Sequence, residues 1–263
     1  MISIVCVYNN ERILTDYLLK SLHDQTVEFD LIKVDNTSGS FKSASEALNL
    51  GGKKAKGKYI MFVHQDVDLS SNTWLEKVEK ILDALPNLGI AGVAGTKDEK
   101  GVMSVIEHSD PPKSAGEIYI KKPTKVQTLD ECLVIIPRSI FIELHFDEKI
   151  CDDWHLYTVD YCLSCLGSGF DVYAIPVYIY HRCTSVETKK NRIQIICDIG
   201  YLPEGYYKTL QKLLNKHKKN HRYIYTNFGR WDTSYPVIPQ KIWPLIKAGI
   251  TYPGRKLQNW VNK

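Results

Sequence analysis

Two stretches of this chain carry side chains whose types and spacing could do chemistry. The first is His64-Gln65-Asp66-Val67-Asp68, which follows directly on Tyr59 to Val63, an apolar run rich in aromatic and β-branched residues. Such a run reads as a strand buried on both faces. In open α/β sheets ligands gather beyond the carboxyl ends of the strands, so carboxylates at this edge are placed to hold a cation that carries phosphates. Opening the amphipathic run Trp74 to Leu82 is the alternative role for Asp66 and Asp68, disfavoured because Ser70, Ser71 and Asn72 already offer cap side chains to it. The second stretch is the charged loop Phe146 to His155, with Asp152 and Asp153, followed by Asp160 in a segment of helical period. An acid that comes within about 2.6–3.2 Å of a hydroxyl, directly or through one water, can act as general base. A loop acid reaches more easily than a helix acid, which favours Asp153 over Asp160; capping of the following helix is an equal alternative for Asp152 and Asp153.

The elements that must position these groups follow from periodicity. Ile2 to Tyr8 and Leu31 to Val34 are apolar strands, separated by a helical pattern at Ile13, Leu14, Tyr17, Leu18 and Leu22. Ser43 to Leu50 reads as a helix stopped by a left-handed cap at Gly51-Gly52, ahead of the Tyr59 strand. Strand, helix, strand, helix, strand at this spacing predicts a doubly wound, mostly parallel sheet with right-handed crossovers. Further strands are expected at Leu88 to Gly95, Thr128 to Ile136, Asp171 to Ile175 and Val177 to Tyr180, with His181 at the end of the last. Helices are expected at Ser139 to Leu144 and Tyr157 to Leu166, and the polar stretch Lys97 to Lys125 reads as a surface excursion.

Length and composition exclude several classes. At 263 residues, 44% hydrophobic and 24% charged, the chain has the make-up of a soluble enzyme with a substantial core. No apolar run approaches the ~18–20 residues of a membrane span, and the N-terminus reads as a strand and not a signal peptide, so the expected location is the cytoplasm. Seven cysteines, with Cys6 inside the first strand, suit reduced thiols used as small apolar residues. The lone C-x-x-C of Cys162 and Cys165 fits one helix face better than a zinc site. Oxidoreductase chemistry on a dinucleotide is disfavoured, since the first strand runs into Asn9-Asn10-Glu11 with no G-x-G-x-x-G. Charge is uneven: residues 205–263 hold 12 Lys+Arg against one acid, Asp232, together with Trp231, Trp243 and Trp260. A basic, aromatic extension of that kind suits an anionic membrane surface, and packing on the body with solvated charges accounts for it equally well. No nucleic-acid fold is indicated.

In order and spacing, Val5 to Asn9, Val34 to Ser38, Ala47 to Gly51, Ala55 to Tyr59, Gln65 to Val67, Phe146 to Glu148 and Val159 to Leu163 together resemble the family-2 glycosyltransferases of the GT-A fold. The resemblance runs from Ile2 to about His181. It implies a GT-A domain over residues 1–204 with residues 205–263 as an extension packed on or beside it. It also implies inverting transfer of a sugar, of hexosyl type, from a nucleoside diphosphate sugar to an acceptor hydroxyl. In that scheme Tyr8, Asn9, Asp35, Asn49, Lys54, His64, Gln65 and Asp66 serve the donor, and Asp66 with His181 holds Mn²⁺ or Mg²⁺. The usual D-x-D reads His64-Gln65-Asp66, and an imidazole is an acceptable Mn²⁺ ligand. The acidic pair that many relatives carry before Val159-Asp160 reads Tyr157-Thr158, which leaves Asp153 and Asp160 as base candidates and His155 as an orienting or acceptor-side residue. The expected partners are a UDP-sugar, a glycan or lipid-linked acceptor of surface polysaccharide synthesis, the inner face of an anionic membrane, and a second copy of the chain. The two departures keep open a second reading, a non-catalytic module that binds a nucleotide sugar or a partner enzyme.

Overall fold

The computed structural model describes residues 1–109, 111–182 and 202–240. Seven strands form the central sheet in the order Thr124–Lys125, Asp171–Ala174, Leu88–Gly92, Leu133–Pro137, Tyr59–Val63, Ile2–Tyr8 and Phe29–Asp35. Ile2–Tyr8 pairs in parallel with both Phe29–Asp35 and Tyr59–Val63, as the alternation of strand and helix predicts. The sheet then turns mixed, because Leu133–Pro137 runs antiparallel to Tyr59–Val63 on one side and to Leu88–Gly92 on the other. Every residue of Tyr59–Val63 is buried, which is the position a continuous apolar strand demands.

The crossovers cover the sheet. Residues 11–23 form one helical stretch whose centre, Thr15–Leu19, is wound as a π-helix. Asn10 caps it by accepting a hydrogen bond from the Ile13 amide, 3.1 Å. The next helix, Ala44–Gly52, is capped by Ser43. It does not stop at a left-handed glycine: Gly51 and Gly52 are helical and buried, and a Cβ on either would collide with Val5 or with Phe141. Close approach of helix to sheet, not turn geometry, requires these glycines.

The Thr128 to Ile136 run is not one strand. It splits into Thr128–Leu129 and Leu133–Pro137, with Asp130-Glu131-Cys132 as a break between them. The excursion after Thr96 is also more ordered than its polarity suggests, with short strands at Val102–Ser104, Ile106–His108, Lys113–Ser114 and Ile118–Tyr119.

In the extension, the helix Glu204–His217 lays Tyr206, Leu210, Leu213 and Leu214 on Val159 and Leu163 of the Tyr157–Gly167 helix and on Leu156 just before it. A hairpin of Tyr223–Thr226 and Gly229–Asp232 follows, and Ile224 and Trp231 close this second apolar cluster. Its basic residues meet the acids of the 146–160 region: Lys212 pairs with Asp152 at 2.6 Å, and Lys216 with Asp147 at 3.0 Å and Asp160 at 2.7 Å. Trp243, Trp260 and the basic residues among them lie outside the described residues.

Candidate functional site

The carboxyl ends of Ile2–Tyr8 and Tyr59–Val63 open into a cleft of about 820 Å³ lined by Tyr8, Asn9, Asn36, Thr37, His64, Gln65, Asp66, Glu131, Trp154 and Tyr157, among others. Gln65 ties the two strand ends together. Its Oε1 accepts from the amides of Asn9 and Asn10 at 3.1 and 3.0 Å, and its Nε2 donates to Asn9 Oδ1 at 2.7 Å. The side chain therefore shapes the cleft floor.

A short strand pair completes the site. Val67–Asp68 runs antiparallel to Ile179–His181 with His181 opposite Val67, and this register sets the imidazole beside Asp66. His181 Nε2 lies 3.2 Å from Asp66 Oδ1, and the His64 and His181 rings are 5.6 Å apart. One ligand atom from each of His64, Asp66 and His181 falls within 4.8 Å of the others. All three are partly buried. Burial and the neighbouring His181 charge lower the His64 pKa. Burial works against the charged forms of Asp66 and His181 as well, but their mutual hydrogen bond and attraction outweigh it, so Asp66 is lowered and His181 raised. Two imidazoles and a carboxylate converging on one point fit a divalent transition ion such as Mn²⁺ better than the all-oxygen set that Mg²⁺ prefers. Asp68 is spent locally, accepting from the Ser70 amide at 2.6 Å.

The other expected donor residues divide. Tyr8 and Asn9 line the cleft. Asp35 stands exposed at its border and holds an Asx turn, accepting from the Thr37 amide and hydroxyl, both at 2.8 Å; these bonds lower its pKa. Asn36, the next residue, is the one that enters the cleft. Asn49 is buried away from it, bonded to Phe146 O, Phe146 N and Glu148 Oε1, so it staples the 146–148 loop to the helix. Lys54 is exposed after that helix and does not line the cleft.

The structure does not bring the two expected bases to the cleft. Asp160 is 2% exposed and held by His217 Nε2 and Lys216 Nζ, each at 2.7 Å. Asp153 lies in a separate hollow against the first turn of the Glu204–His217 helix, where its carboxylate occupies the space a Cβ on Gly205 would need. That is a favourable place for an anion and a poor one for a base. His155 stacks edge-on to Tyr206 with ring centres 6.0 Å apart, and burial lowers its pKa.

What the sequence reading missed is Glu131. It lines the cleft from the break between two strands, and its Oε1 is buried with no hydrogen-bond partner. Burial and the adjacent Asp130 charge push its carboxyl up to about 8, while the amides of Leu156 and Tyr157 pull the other way. Tyr157 sits beside it, donating to Glu131 O at 3.2 Å and lying 3.3 Å from His64 Nε2. The available signal was an acid pair, Asp130-Glu131, inside an otherwise apolar run.

Comparison with known proteins bears on this geometry. The sequence model of a "Glycosyltransferase like family" matches residues 2–194. Among solved structures, a mannosyltransferase, PcManGT from Pyrobaculum calidifontis in complex with GDP-Man and Mn²⁺, superposes with a TM-score of 0.58 at 12% identity, over 97% of this chain and 75% of that one. GalNAc-T7 with UDP, GalNAc and Mn²⁺ gives 0.56 at 13%, over 83% and 50%. S. aureus TarS in complex with UDP-GlcNAc gives 0.50 at 14%, over 84% and 73%. The fold is the GT-A glycosyltransferase fold expected from the sequence. A sequence relative from Fuscovulum blasticum, "ATP synthase subunits region ORF 6", is 27% identical over 138 residues, which cover 49% of this chain and about half, 53%, of that relative.

Proposed function

The chain belongs to this glycosyltransferase-like family, and from that premise we propose that it transfers a sugar from a nucleoside diphosphate sugar to an acceptor hydroxyl with inversion at the anomeric carbon. The observation that carries the reading is the convergence of His64, Asp66 and His181 at one end of the cleft formed by the strand ends. These three side chains would hold a divalent ion such as Mn²⁺, and such an ion would supply positive charge against the departing diphosphate. Tyr8, Asn9 and Asn36 border the nucleoside end, and Gln65 keeps that wall in register with the metal ligands. UDP, UDP-GlcNAc and GDP-Man in the neighbouring structures support a UDP- or GDP-linked donor. The acceptor we assign is a glycan or lipid-linked glycan of surface polysaccharide synthesis.

Among the described residues no helix is long and apolar enough to cross a membrane. To the basic, aromatic stretch 205–263, with Trp231, Trp243, Trp260, Lys247, Arg255 and Lys256, we assign peripheral docking on an anionic leaflet. Co-sedimentation that is equal on neutral and anionic vesicles, or absent at low salt, removes that part of the reading.

Thermal shift with a panel of UDP- and GDP-sugars, with and without Mn²⁺, tests donor binding, because a ligand stabilises the state that it occupies. Release of nucleoside diphosphate then separates a transferase from a module that only binds. A donor that binds and stays intact with Mn²⁺ and acceptor glycans present refutes transfer.

A further inference from the structure

Among the described residues, two acids line the cleft, Asp66 and Glu131. Asp66 belongs to the metal-competent trio, so one carboxyl is left for proton transfer. Glu131 has the features that such a role requires. It lines the cleft that Trp154 and Tyr157 also line, and Trp154 is 37% exposed there, an open aromatic face of the kind that receives a sugar ring. Its Oε1 is buried without a partner, although a buried polar atom is normally satisfied. Its backbone is fixed on both sides, by the Tyr157 hydroxyl on Glu131 O and by the His64 amide on Cys132 O at 2.9 Å. The adjoining Asp130 is already engaged, accepting from the Cys132 amide at 2.9 Å and from Asn227 of the hairpin turn. Among the described residues no cationic side chain pairs with Glu131, which lies next to the start of the Tyr157–Gly167 helix.

The position also answers the missing acidic pair. At the first turn of that helix the chain has Tyr157 and Thr158, both buried and neither acidic. Glu131 comes from another strand end to the same place, near enough for the Leu156 and Tyr157 amides to act on its carboxyl.

On the transferase reading above, we infer that Glu131 is the general base that activates the acceptor. Its carboxylate takes the proton of the acceptor hydroxyl, the acceptor oxygen forms a bond to the anomeric carbon, and the bond from that carbon to the diphosphate oxygen breaks with its electron pair. The nucleoside diphosphate leaves as an anion, and the proton stays on Glu131 until solvent removes it. When no acceptor is present, water takes the acceptor's place and the donor is hydrolysed slowly. The groups facing Glu131 are Asp130 and the hydroxyl groups of Tyr157 and Tyr206, with the Cys151 thiol behind. None of them offers a positive charge, so the carboxylate is a strong base when it forms.

The experiment uses the full chain with Mn²⁺ and the panel of UDP- and GDP-sugars, and reads both donor affinity and nucleoside diphosphate release from pH 5.5 to 9. Glu131→Gln should bind donor within about threefold of the parent and release nucleoside diphosphate roughly 10²–10⁴-fold more slowly. The rise of the parent rate with pH should vanish in this variant, and Glu131→Asp, which keeps a carboxyl, should recover part of the rate. If Glu131→Gln turns over like the parent, or keeps the same pH limb at a lower rate, Glu131 is not the base, and the transferase reading stands without it. Loss of donor binding together with a lower melting temperature in both variants makes Glu131 a structural prop and also overturns the inference. A parent that binds none of the panel fails the transferase reading itself, and the inference falls with it.

Discussion

Replacing Glu131 by Gln should change how stability depends on pH, independently of any substrate. The carboxyl is raised from its ordinary 4.5 to about 8 by burial and by Asp130. Between these values the folded chain keeps a proton that the unfolded chain has released, so stability is complete below pH 4.5 and falls as pH rises towards 8. At about 1.4 kcal/mol per pH step the whole window is worth at most roughly 4–5 kcal/mol. An interior that relaxes around the charge recovers part of it, which leaves about 2–4 kcal/mol. Gln is neutral throughout and removes this slope, though its amide must find partners at a cost of roughly 1–3 kcal/mol. The variant should therefore be equal to or weaker than the parent at pH 5, gain on it up to about pH 8 and keep that gain at pH 9. Urea titrations of both proteins in chelator at pH 5, 7 and 9 measure this. Titration of His64, Asp66 and His181 is common to both and cancels in the difference. Curves that stay parallel from pH 5 to 9 would mean that the carboxyl is solvated in the cleft, and the argument from burial would fail.

Three substitutions probe the neighbouring assignments. Asp66→Ala should keep the fold and lose the Mn²⁺-dependent part of the UDP thermal shift, since one of three protein ligands is gone; an unchanged Mn²⁺ titration refutes the metal site. Asp160→Asn should lower stability by about 3 kcal/mol, because it strips a 2%-exposed carboxylate from Lys216 and His217, while donor affinity of the folded protein stays within twofold. Full stability with abolished turnover would return the base to that helix. Asp153→Asn, in the separate hollow against the Glu204–His217 helix, should leave nucleoside diphosphate release within a few-fold, and a loss of roughly 10²–10⁴-fold would contradict the role assigned to Glu131.

The parts of this molecule that were legible in its sequence are those with a period. Ile2–Tyr8, Tyr59–Val63 and the helices over Ala44–Gly52, Trp74–Asp83, Tyr157–Gly167 and Glu204–His217 follow from runs and stripes of apolar residues. His64 and Asp66 were legible for the same reason, as polar residues at the end of a buried strand. The pairing that brings His181 to Asp66 involves strands of two and three residues, too short to have a period, so only the resemblance to a family placed that histidine. The break at Asp130–Cys132 was hidden because apolar residues flank it on both sides. It is caused by tertiary bonds, His64 N to Cys132 O and Asn227 to Asp130, that no local pattern reports.

The loop acids were misleading for a related reason. Asp147, Asp152, Asp153 and Asp160 look available when read along the chain, since the nearest cation among them is Lys149. The counter-charges of Asp147, Asp152 and Asp160, namely Lys212, Lys216 and His217, come from the Glu204–His217 helix, more than fifty residues later. Part of the basic excess of the extension thus meets acids of the body in one interface. An exposed ion pair contributes little, but Asp160 and His217 are buried, with Lys216 reaching Asp160 from the surface, and there an unmatched charge is costly. With Asp147, Asp152 and Asp160 committed to holding the extension in place and Asp153 in a separate hollow, the strand break at Glu131 is the element that brings to this cleft a carboxyl which the described part of the extension does not neutralise.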